Sequence, residues 1–283
     1  MFVGDYENVL NDFLANNIYT ILPSDCIFEE LCDMPADNQY FSDNKIMEVF
    51  DLLSDEKSRE IYGNVLAQRM ALPLAKRSFR DMNSDDEYFQ VEVVKLTDEE
   101  IFCDCGAYTG DTMERFLRVV DGKCKYIYAY EMAKDNFIKL GETAKRMEKE
   151  YISFSQDNYR LINAGVWHQH DMIAYGKEEA GTGESYGVFK TDNMMYAEAV
   201  TIDETTDLPV TFIKMDIEGA EMNALRGAAK QIKTNRPKLA ICLYHRLADF
   251  WEIPLYIKTL NPDYNLYVRH HGNSIGGTVL YAV

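Results

Sequence analysis

A segment of nine residues, DCGAYTGDT at positions 104–112, carries the strongest chemical pattern in this sequence. It follows an apolar run of strand length and opens a helical pattern. Gly106 and Gly110 allow the backbone to approach a ligand closely. The helix that follows offers free N–H groups and the positive end of its dipole, so the turn favours a carboxylate or a phosphate as its ligand.

Asp104 distinguishes between two classes of ligand for this turn. A dinucleotide fingerprint reads G-x-G-x-x-G, whereas Asp104 stands where its first glycine would be, two residues before Gly106. A carboxylate would repel a pyrophosphate, but it suits a ligand with a cationic amine, such as the methionine moiety of S-adenosylmethionine. The pattern therefore favours S-adenosylmethionine over a nicotinamide dinucleotide.

Glu131, in YAYEM, is the next acidic residue at the end of a predicted strand. It follows the glycine turn by about 20 residues, the spacing of an acid that binds the hydroxyls of a ribose. A solvated carboxylate at a strand end is the alternative. The glycine turn before it favours the ribose-binding interpretation.

A second acidic motif, FIKMDIEGAE at positions 212–221, again runs from an apolar strand pattern into a helical one. We expect the helix to begin near Glu218, which would put Glu218 and Glu221 on one helical face near the positive dipole end. These acids could simply cap the helix. Asp216, however, would lie at the carboxyl end of a strand, where open α/β sheets bind ligands, and this favours a role in the site.

Strands alternate with helices from Val91 onward, which predicts a parallel sheet covered on both faces. The polar, glycine-bearing stretch after Val166 is either an insertion that contacts a second substrate or a surface hairpin. The short segment HHGNSIGG predicts that the last strand is antiparallel to the one before it. The predicted strands are 101–105, 125–130, 160–166, 210–216, 238–244, 264–269 and 278–283.

The N-terminal third has a helical pattern and no catalytic motif. Ser42 can cap a first helix, and Ser54 or Asp55 a second. We expect residues 1–87 to form a helical cap, which could also support a homo-oligomer, or a lid over the active site.

Composition excludes several classes of partner. The 29 basic and 47 acidic residues give a net charge of −18, which disfavours nucleic acids and anionic membranes. The chain lacks a signal peptide and an 18-residue apolar run, so we expect a cytoplasmic protein without membrane insertion. Cys103 and Cys105 have no second Cys or His pair, and DIEGAE lacks regular ligand spacing, so no metal is predicted. The alternative is a divalent cation held by Asp216, Glu218, Glu221 and His245.

The order and spacing of five segments resemble the FkbM-type S-adenosylmethionine-dependent methyltransferases. The resemblance covers residues 88–283, which we take as the S-adenosylmethionine-binding domain. It implies a Rossmann-like α/β fold with a seven-stranded, mostly parallel sheet and O-methylation of a sugar or another small molecule. The segments are DCGAYTGDT, the strand-end Glu131, INAGVW, the Asp203 of TID, and KMDIEGAEMNALRGA.

The resemblance also assigns site residues. It implies that the glycine turn holds the methionine moiety, that Glu131 binds the ribose, that residues 163–165 form the adenine-side wall, and that Asp216 and Glu218 face the transferred methyl group. The predicted cofactor-binding residues are Asp104, Gly106, Ala107, Gly110, Asp111, Thr112, Glu131, Met132, Asn163, Ala164, Gly165 and Asp216.

Transfer of a methyl group to a hydroxyl benefits from a general base. His245 is the first candidate because it directly follows a predicted strand, and Asp216 and Glu218 are the others. Two other functions remain open at this point: a nicotinamide-dependent oxidoreductase, and a non-catalytic cofactor-binding module that engages a protein partner.

Overall fold

The computed structural model of the protein describes residues 43–69, 78–89, 92–177, 186–187 and 195–283. The predicted cap at Ser42 lies outside them. The described strands are β1 Ile101–Cys105, β2 Tyr126–Tyr130, β3 Tyr159–Ile162, β4 Gly165–Val166, β5 Asp171–Lys177, β6 Tyr186–Gly187, β7 Met195–Val200, β8 Phe212–Met215, β9 Lys238–Cys242, β10 Leu266–His270 and β11 Thr278–Ala282. The described helices are α1 Asp43–Leu52, α2 Glu56–Arg69, α3 Phe79–Met82, α4 Asp111–Val119, α5 Lys134–Glu150, α6 Ile202–Thr205, α7 Glu221–Gly227, α8 Ala229–Asn235 and α9 Asp249–Leu260.

The predicted fold class is confirmed. The chain has a seven-stranded, mostly parallel sheet, in which β11 is antiparallel to β10. The chain divides into two compact units, one of Val94–Ile241 and one that joins the described residues before Val94 to Cys242–Val283. The predicted division after residue 87, and the role of the helices before it, stay predictions. No helix in the described ranges is both long and apolar enough to cross a membrane.

The unit of Val94–Ile241 contains parallel strands in the order β9, β8, β1, β2, β3. Every residue of β1 is buried, and the ring of Phe102 packs against the rings of Phe116 in α4 and Phe212 in β8. The register pairs Cys105 with Tyr130 on one side and with Met215 on the other, so these three strands end level with one another. The residues that follow them therefore meet at one edge of the sheet.

The third predicted strand, 160–166, is in fact two strands in different sheets. Tyr159–Ile162 pairs with β2, whereas Gly165–Val166 pairs with β7 in a second sheet of order β4, β7, β5, β6. Between them the Ala164 amide donates to the Ile162 carbonyl, and this tight turn directs the chain out of the first sheet. The stretch after Val166 thus contains an antiparallel pair, β5 with β7.

The helix expected to begin near Glu218 begins at Glu221, so the prediction that Glu218 and Glu221 share a helical face is wrong. Glu218 and Gly219 have φ values of 54° and 92°, which lie in the left-handed region and cannot continue a right-handed helix. The helical segment also divides into α7 and α8 at Ala228. A methyl group on Gly227 would lie 2.0 Å from the Trp167 carbonyl oxygen, so this close approach requires glycine.

In the other unit, α1 buries one apolar face, whereas α2 is buried at every residue from Ile61 to Ala67. Ile46, Val49, Phe50 and Leu53 are all buried. The cap of α2 is Asp55, whose Oδ1 accepts a hydrogen bond of 2.7 Å from the amide of the third helical residue.

Candidate active site

The turn between β1 and α4 is held from two sides. The amides of Gly106 and Ala107 both donate to the Tyr130 carbonyl at the end of β2, at 3.1 and 2.8 Å. A methyl group on Gly106 would lie 2.0 Å from the Asp216 carbonyl oxygen, and its φ is 78°. Both the conformation and this close approach to the chain after β8 exclude any larger residue.

Glu131 connects two turns at the sheet edge. Its Oε2 accepts from the Tyr108 amide at 3.0 Å, and its Oε1 accepts from the Ala133 amide at 2.7 Å. The side chain is buried. Burial raises the pKa of Glu131 to about 7, although both amide bonds favour the charged form and oppose this shift.

The segment after β8 folds back over the edge. The Asp216 amide donates to the Cys105 carbonyl at 3.1 Å, and the Ile217 amide donates to Oε1 of the buried Glu221 at 2.9 Å. Glu218 has a left-handed backbone, as does Tyr108 across the edge, with φ of 48°. Strained residues of this kind persist where the surrounding structure holds them, and they cluster at functional sites.

These three segments and the second sheet enclose a cavity within the unit of Val94–Ile241. Seven of the predicted site residues line it: Gly106, Glu131, Met132, Ala164, Gly165, Asp216 and Glu218. Seven other residues complete the lining: Tyr108, Tyr130, Asn136, Val166, Ile173, Ile217 and Ala220.

Six predicted cofactor residues are described but do not line this cavity: Asp104, Ala107, Gly110, Asp111, Thr112 and Asn163. Ala107, Gly110 and Thr112 are buried within the turn and the start of α4, whereas Asp111 is exposed. Asn163 donates from Nδ2 to the carbonyls of Glu131 and Met132, at 2.8 and 3.2 Å, and so holds the turn after β2 in place.

His245 belongs to the other unit, where it is buried beside the ring of Tyr244, with 4.2 Å between ring centroids. Its role as a base stays a prediction, and so does the absence of a metal.

Asp104 is completely buried, and its Oδ1 lies 3.2 Å from the Nζ of Lys214 in β8. The two residues are register partners in adjacent parallel strands. Burial raises the pKa of Asp104, and the neighbouring ammonium group only partly offsets this effect. Lys214 stands within the second motif, but its position inside an apolar strand gave no sign of a role in the site.

The second sheet closes one side of the cavity. Ile173 of β5 lines it together with Gly165, and a methyl group on Gly165 would lie 2.6 Å from the Ile173 Cδ1. Ile173 belongs to a small apolar cluster against which Met132 and Trp167 pack. Sequence reasoning missed Ile173 because no local motif surrounds it in the glycine-bearing stretch.

Comparison with known proteins gives a family match and a similar solved structure. Residues 104–275 match the Methyltransferase FkbM domain. The structure of methyltransferase FkbM from Methylobacillus flagellatus KT is 25% identical, with a TM-score of 0.72 over 85% of this chain and 58% of that one. This chain therefore spans less than two thirds of that protein.

Two other solved structures are more distant. An rRNA methylase from Streptococcus thermophilus is 19% identical, with a TM-score of 0.41 over 69% of this chain and 90% of that one. Fibrillarin from Aeropyrum pernix, solved with S-adenosyl-L-methionine, is 11% identical, with a TM-score of 0.43 over 69% and 72%. Comparison with curated protein sequences returned no match.

The sheet, its strand order and the glycine turn define a protein of the Rossmann-like methyltransferase class. More particularly, the chain belongs to the FkbM methyltransferase family, because that domain matches more than half of its length.

Proposed function

We propose that this protein binds S-adenosylmethionine and transfers its methyl group to a hydroxyl oxygen of a sugar or another small molecule. The observation that carries the proposal is the cavity at the carboxyl edge of the sheet, lined by Gly106, Glu131 and Asp216. The family to which the chain belongs supports methyl transfer as the reaction.

The residues fit the chemical groups of this cofactor. Gly106 keeps the turn free of side-chain atoms, and a larger residue would collide with the chain after β8. The Glu131 carboxylate, already at the cavity wall, has lone pairs left to accept from ribose hydroxyls. Acidic side chains on the wall suit a cationic sulfonium ion. Apolar Met132 and Ile173 suit the faces of an adenine ring.

When bound, the cofactor supplies a methyl group on a positively charged sulfur. The acceptor oxygen would form its bond to the methyl carbon as the carbon–sulfur bond breaks, and the cofactor would leave as a neutral thioether. Cavity residues can align the two reactants, and such alignment contributes about 7 to 11 kcal/mol in favourable cases. His245, Asp216 and Glu218 remain the candidate bases for the hydroxyl proton, and of these Asp216 and Glu218 line this cavity.

Binding is the first test. We would titrate the purified protein with S-adenosylmethionine, S-adenosylhomocysteine and NAD in parallel and follow thermal unfolding. A ligand at 100 times its dissociation constant adds about 2.7 kcal/mol of stability. We expect stabilisation by both adenosyl compounds and none by NAD.

Turnover is the second test. Transfer of a radiolabelled methyl group to a panel of sugars and other hydroxylated compounds should yield at least one labelled product. Stabilisation by NAD alone would indicate an oxidoreductase. Binding of S-adenosylmethionine without any transfer would indicate a cofactor-binding module instead.

A further inference from the structure

Lys214 occupies an unusual position for a charged residue. It lies in β8, and only 2% of its side chain is exposed. Its Nζ donates to the Gly106 carbonyl at 2.8 Å and to the Cys105 carbonyl at 3.3 Å, and it lies 3.2 Å from Oδ1 of Asp104. An ammonium group has three N–H donors, and these three oxygens all belong to the segment that leads into the glycine turn.

Stability alone does not account for this pair. Removing an ammonium and a carboxylate from water is costly, and well-packed apolar residues in their place are often neutral or stabilising. Neither residue of the pair lines the cavity, and both contact the chain that leads into the turn. What it does there is bind two consecutive backbone carbonyls and so restrict the orientation of two peptide groups.

We propose that Lys214 is a positioning residue for cofactor binding, which holds the turn from Cys105 to Tyr108 in its binding conformation, and that Asp104 acts through Lys214 by neutralising its charge. The proposal rests on the function proposed above. It replaces the expectation that Asp104 meets the cofactor's amino group directly.

The orientation of these peptide groups matters because the amides of the turn form hydrogen bonds of their own. The Gly106 and Ala107 amides donate to the Tyr130 carbonyl, and the Tyr108 amide donates to the Glu131 carboxylate. If the Gly106 carbonyl rotates, the amide of Ala107 rotates with it, because the peptide group is planar. Loss of the ammonium would therefore loosen the connection between the turn and Glu131.

Hydrogen exchange of the ligand-free protein tests the positioning directly. In Lys214→Met we expect the amides of Gly106, Ala107 and Tyr108 to exchange at least about tenfold faster than in the wild type, the change that corresponds to losing one hydrogen bond to a charged group. The matched control is Lys238→Met, which removes the lysine of another ion pair, with Glu100, at 2.8 Å.

In the control, any increase in exchange should be spread over the unit and should not be concentrated in the turn. If Lys214→Met and Lys238→Met give the same exchange pattern, Lys214 is only a structural residue and the proposal is wrong. This readout needs no ligand, so it remains valid even if the protein does not bind S-adenosylmethionine.

Affinity is measured next, with S-adenosylhomocysteine as the probe. A misplacement of about 1 Å in a site can cost about 100-fold, so we expect the dissociation constant of Lys214→Met to rise between about 10- and 100-fold. Lys238→Met should stay within about twofold of the wild type. Unchanged affinity in a folded Lys214→Met would overturn the proposal, whereas no binding by the wild type would overturn only the proposed function.

Asp104→Asn keeps the shape of the side chain and tests the case in which Lys214→Met does not fold. If Asp104 acts through Lys214, this variant should lose the same factor of affinity for S-adenosylhomocysteine and for its analogue without the amino group. If Asp104 contacts the amino group instead, the loss should appear with S-adenosylhomocysteine alone, and our proposal for Asp104 would be wrong.

Discussion

Two ion pairs, one in each compact unit, differ in how completely the carboxylate of the pair is satisfied. In the first pair, Asp55 is 34% exposed. Arg269 is 2% exposed and forms two bonds with Asp55, at 2.7 and 3.3 Å. It also donates to the Ser58 hydroxyl and the Val268 carbonyl, both at 2.9 Å. The carboxylate of Asp104, in contrast, has a single contact of 3.2 Å with Lys214, whose ammonium group also donates to two backbone carbonyls.

The pKa values of the two carboxyl groups move in opposite directions. Burial raises the pKa of Asp55, but its hydrogen bonds with Arg269 and Ser58 outweigh this effect and lower it overall. Burial also raises the pKa of Asp104, and there the nearby Lys214 does not outweigh it. Ionisation of Asp55 therefore favours the folded state, whereas ionisation of Asp104 opposes it.

The largest expected effect is loss of stability when the first pair is broken. Asp55→Ala leaves the buried Arg269 without its carboxylate and removes the cap of α2, so we expect the free energy of unfolding to fall by about 3 to 5 kcal/mol. Urea denaturation measures this change. Affinity for S-adenosylhomocysteine in the folded variant should stay within about twofold of the wild type.

The control is the exposed pair of Glu56 and Arg59, 3.2 Å apart. Glu56→Ala should cost less than about 1 kcal/mol. Because the pKa of Asp55 is lowered in the folded state, its contribution should be present at neutral pH and disappear on acidification. A wild type and an Asp55→Ala variant that differ equally at pH 7 and pH 2 would contradict this account.

A substitution in the glycine turn should cost less stability but should abolish cofactor binding. Gly106→Ala combines a left-handed conformation with a methyl group 2.0 Å from the Asp216 carbonyl oxygen, and we expect a loss of about 2 to 4 kcal/mol. Calorimetric titration should show no binding of S-adenosylmethionine even where the variant is folded. The control is Gly141→Ala inside α5, where the new methyl group has space and should add about 0.5 to 1 kcal/mol.

The sheet and its cavity edge could be predicted because their signals are local. Apolar runs of strand length, a glycine turn and the acids that follow them predicted that Gly106, Glu131 and Asp216 each follow the end of a strand. Parallel pairing in register then brings all three to one cavity. The local sequence of each segment was therefore sufficient to predict the sheet and the edge that carries the cavity.

Other features depend on contacts between distant segments. The helix boundary at Glu218 was missed because its left-handed backbone is stabilised by the surrounding fold, including the bond from the Ile217 amide to Glu221. Ile173 comes from the second sheet, and Lys214 is recognisable only when Asp104 lies opposite it in register. These contacts join residues far apart in the sequence, so no local sequence pattern could predict them.

We expect affinity for S-adenosylmethionine to depend moderately on pH, because Glu131 titrates near neutral pH. Its pKa of about 7 lies above the ordinary value of 4.5, so this group makes the ligand-free protein less stable as pH rises from about 4.5 to 7. Ribose hydroxyls would donate to the charged form, so affinity for S-adenosylmethionine should fall by up to about tenfold for each pH unit below 7. Titration calorimetry between pH 6 and 8 measures both the affinity and the proton released on binding.

Glu131→Gln separates this titration from other groups. The variant should bind more weakly and show no pH dependence over the same range, because its side chain does not ionise. Equal pH profiles for the wild type and the variant would mean that Glu131 is not the titrating group at the site.

The smallest expected effect concerns backbone strain at Glu218, which lines the cavity with φ of 54°. Glu218→Gly and Glu218→Ala remove the same carboxylate, but only glycine adopts this conformation without strain. Glu218→Gly should therefore be more stable than Glu218→Ala by about 1 kcal/mol in urea denaturation. Equal stabilities would show that the left-handed conformation is not a source of strain.

The same two variants test the role of the carboxylate. If Glu218 faces the transferred methyl group, both variants should show the same fold reduction in the rate of methyl transfer. An unchanged rate would remove Glu218 from the candidate bases.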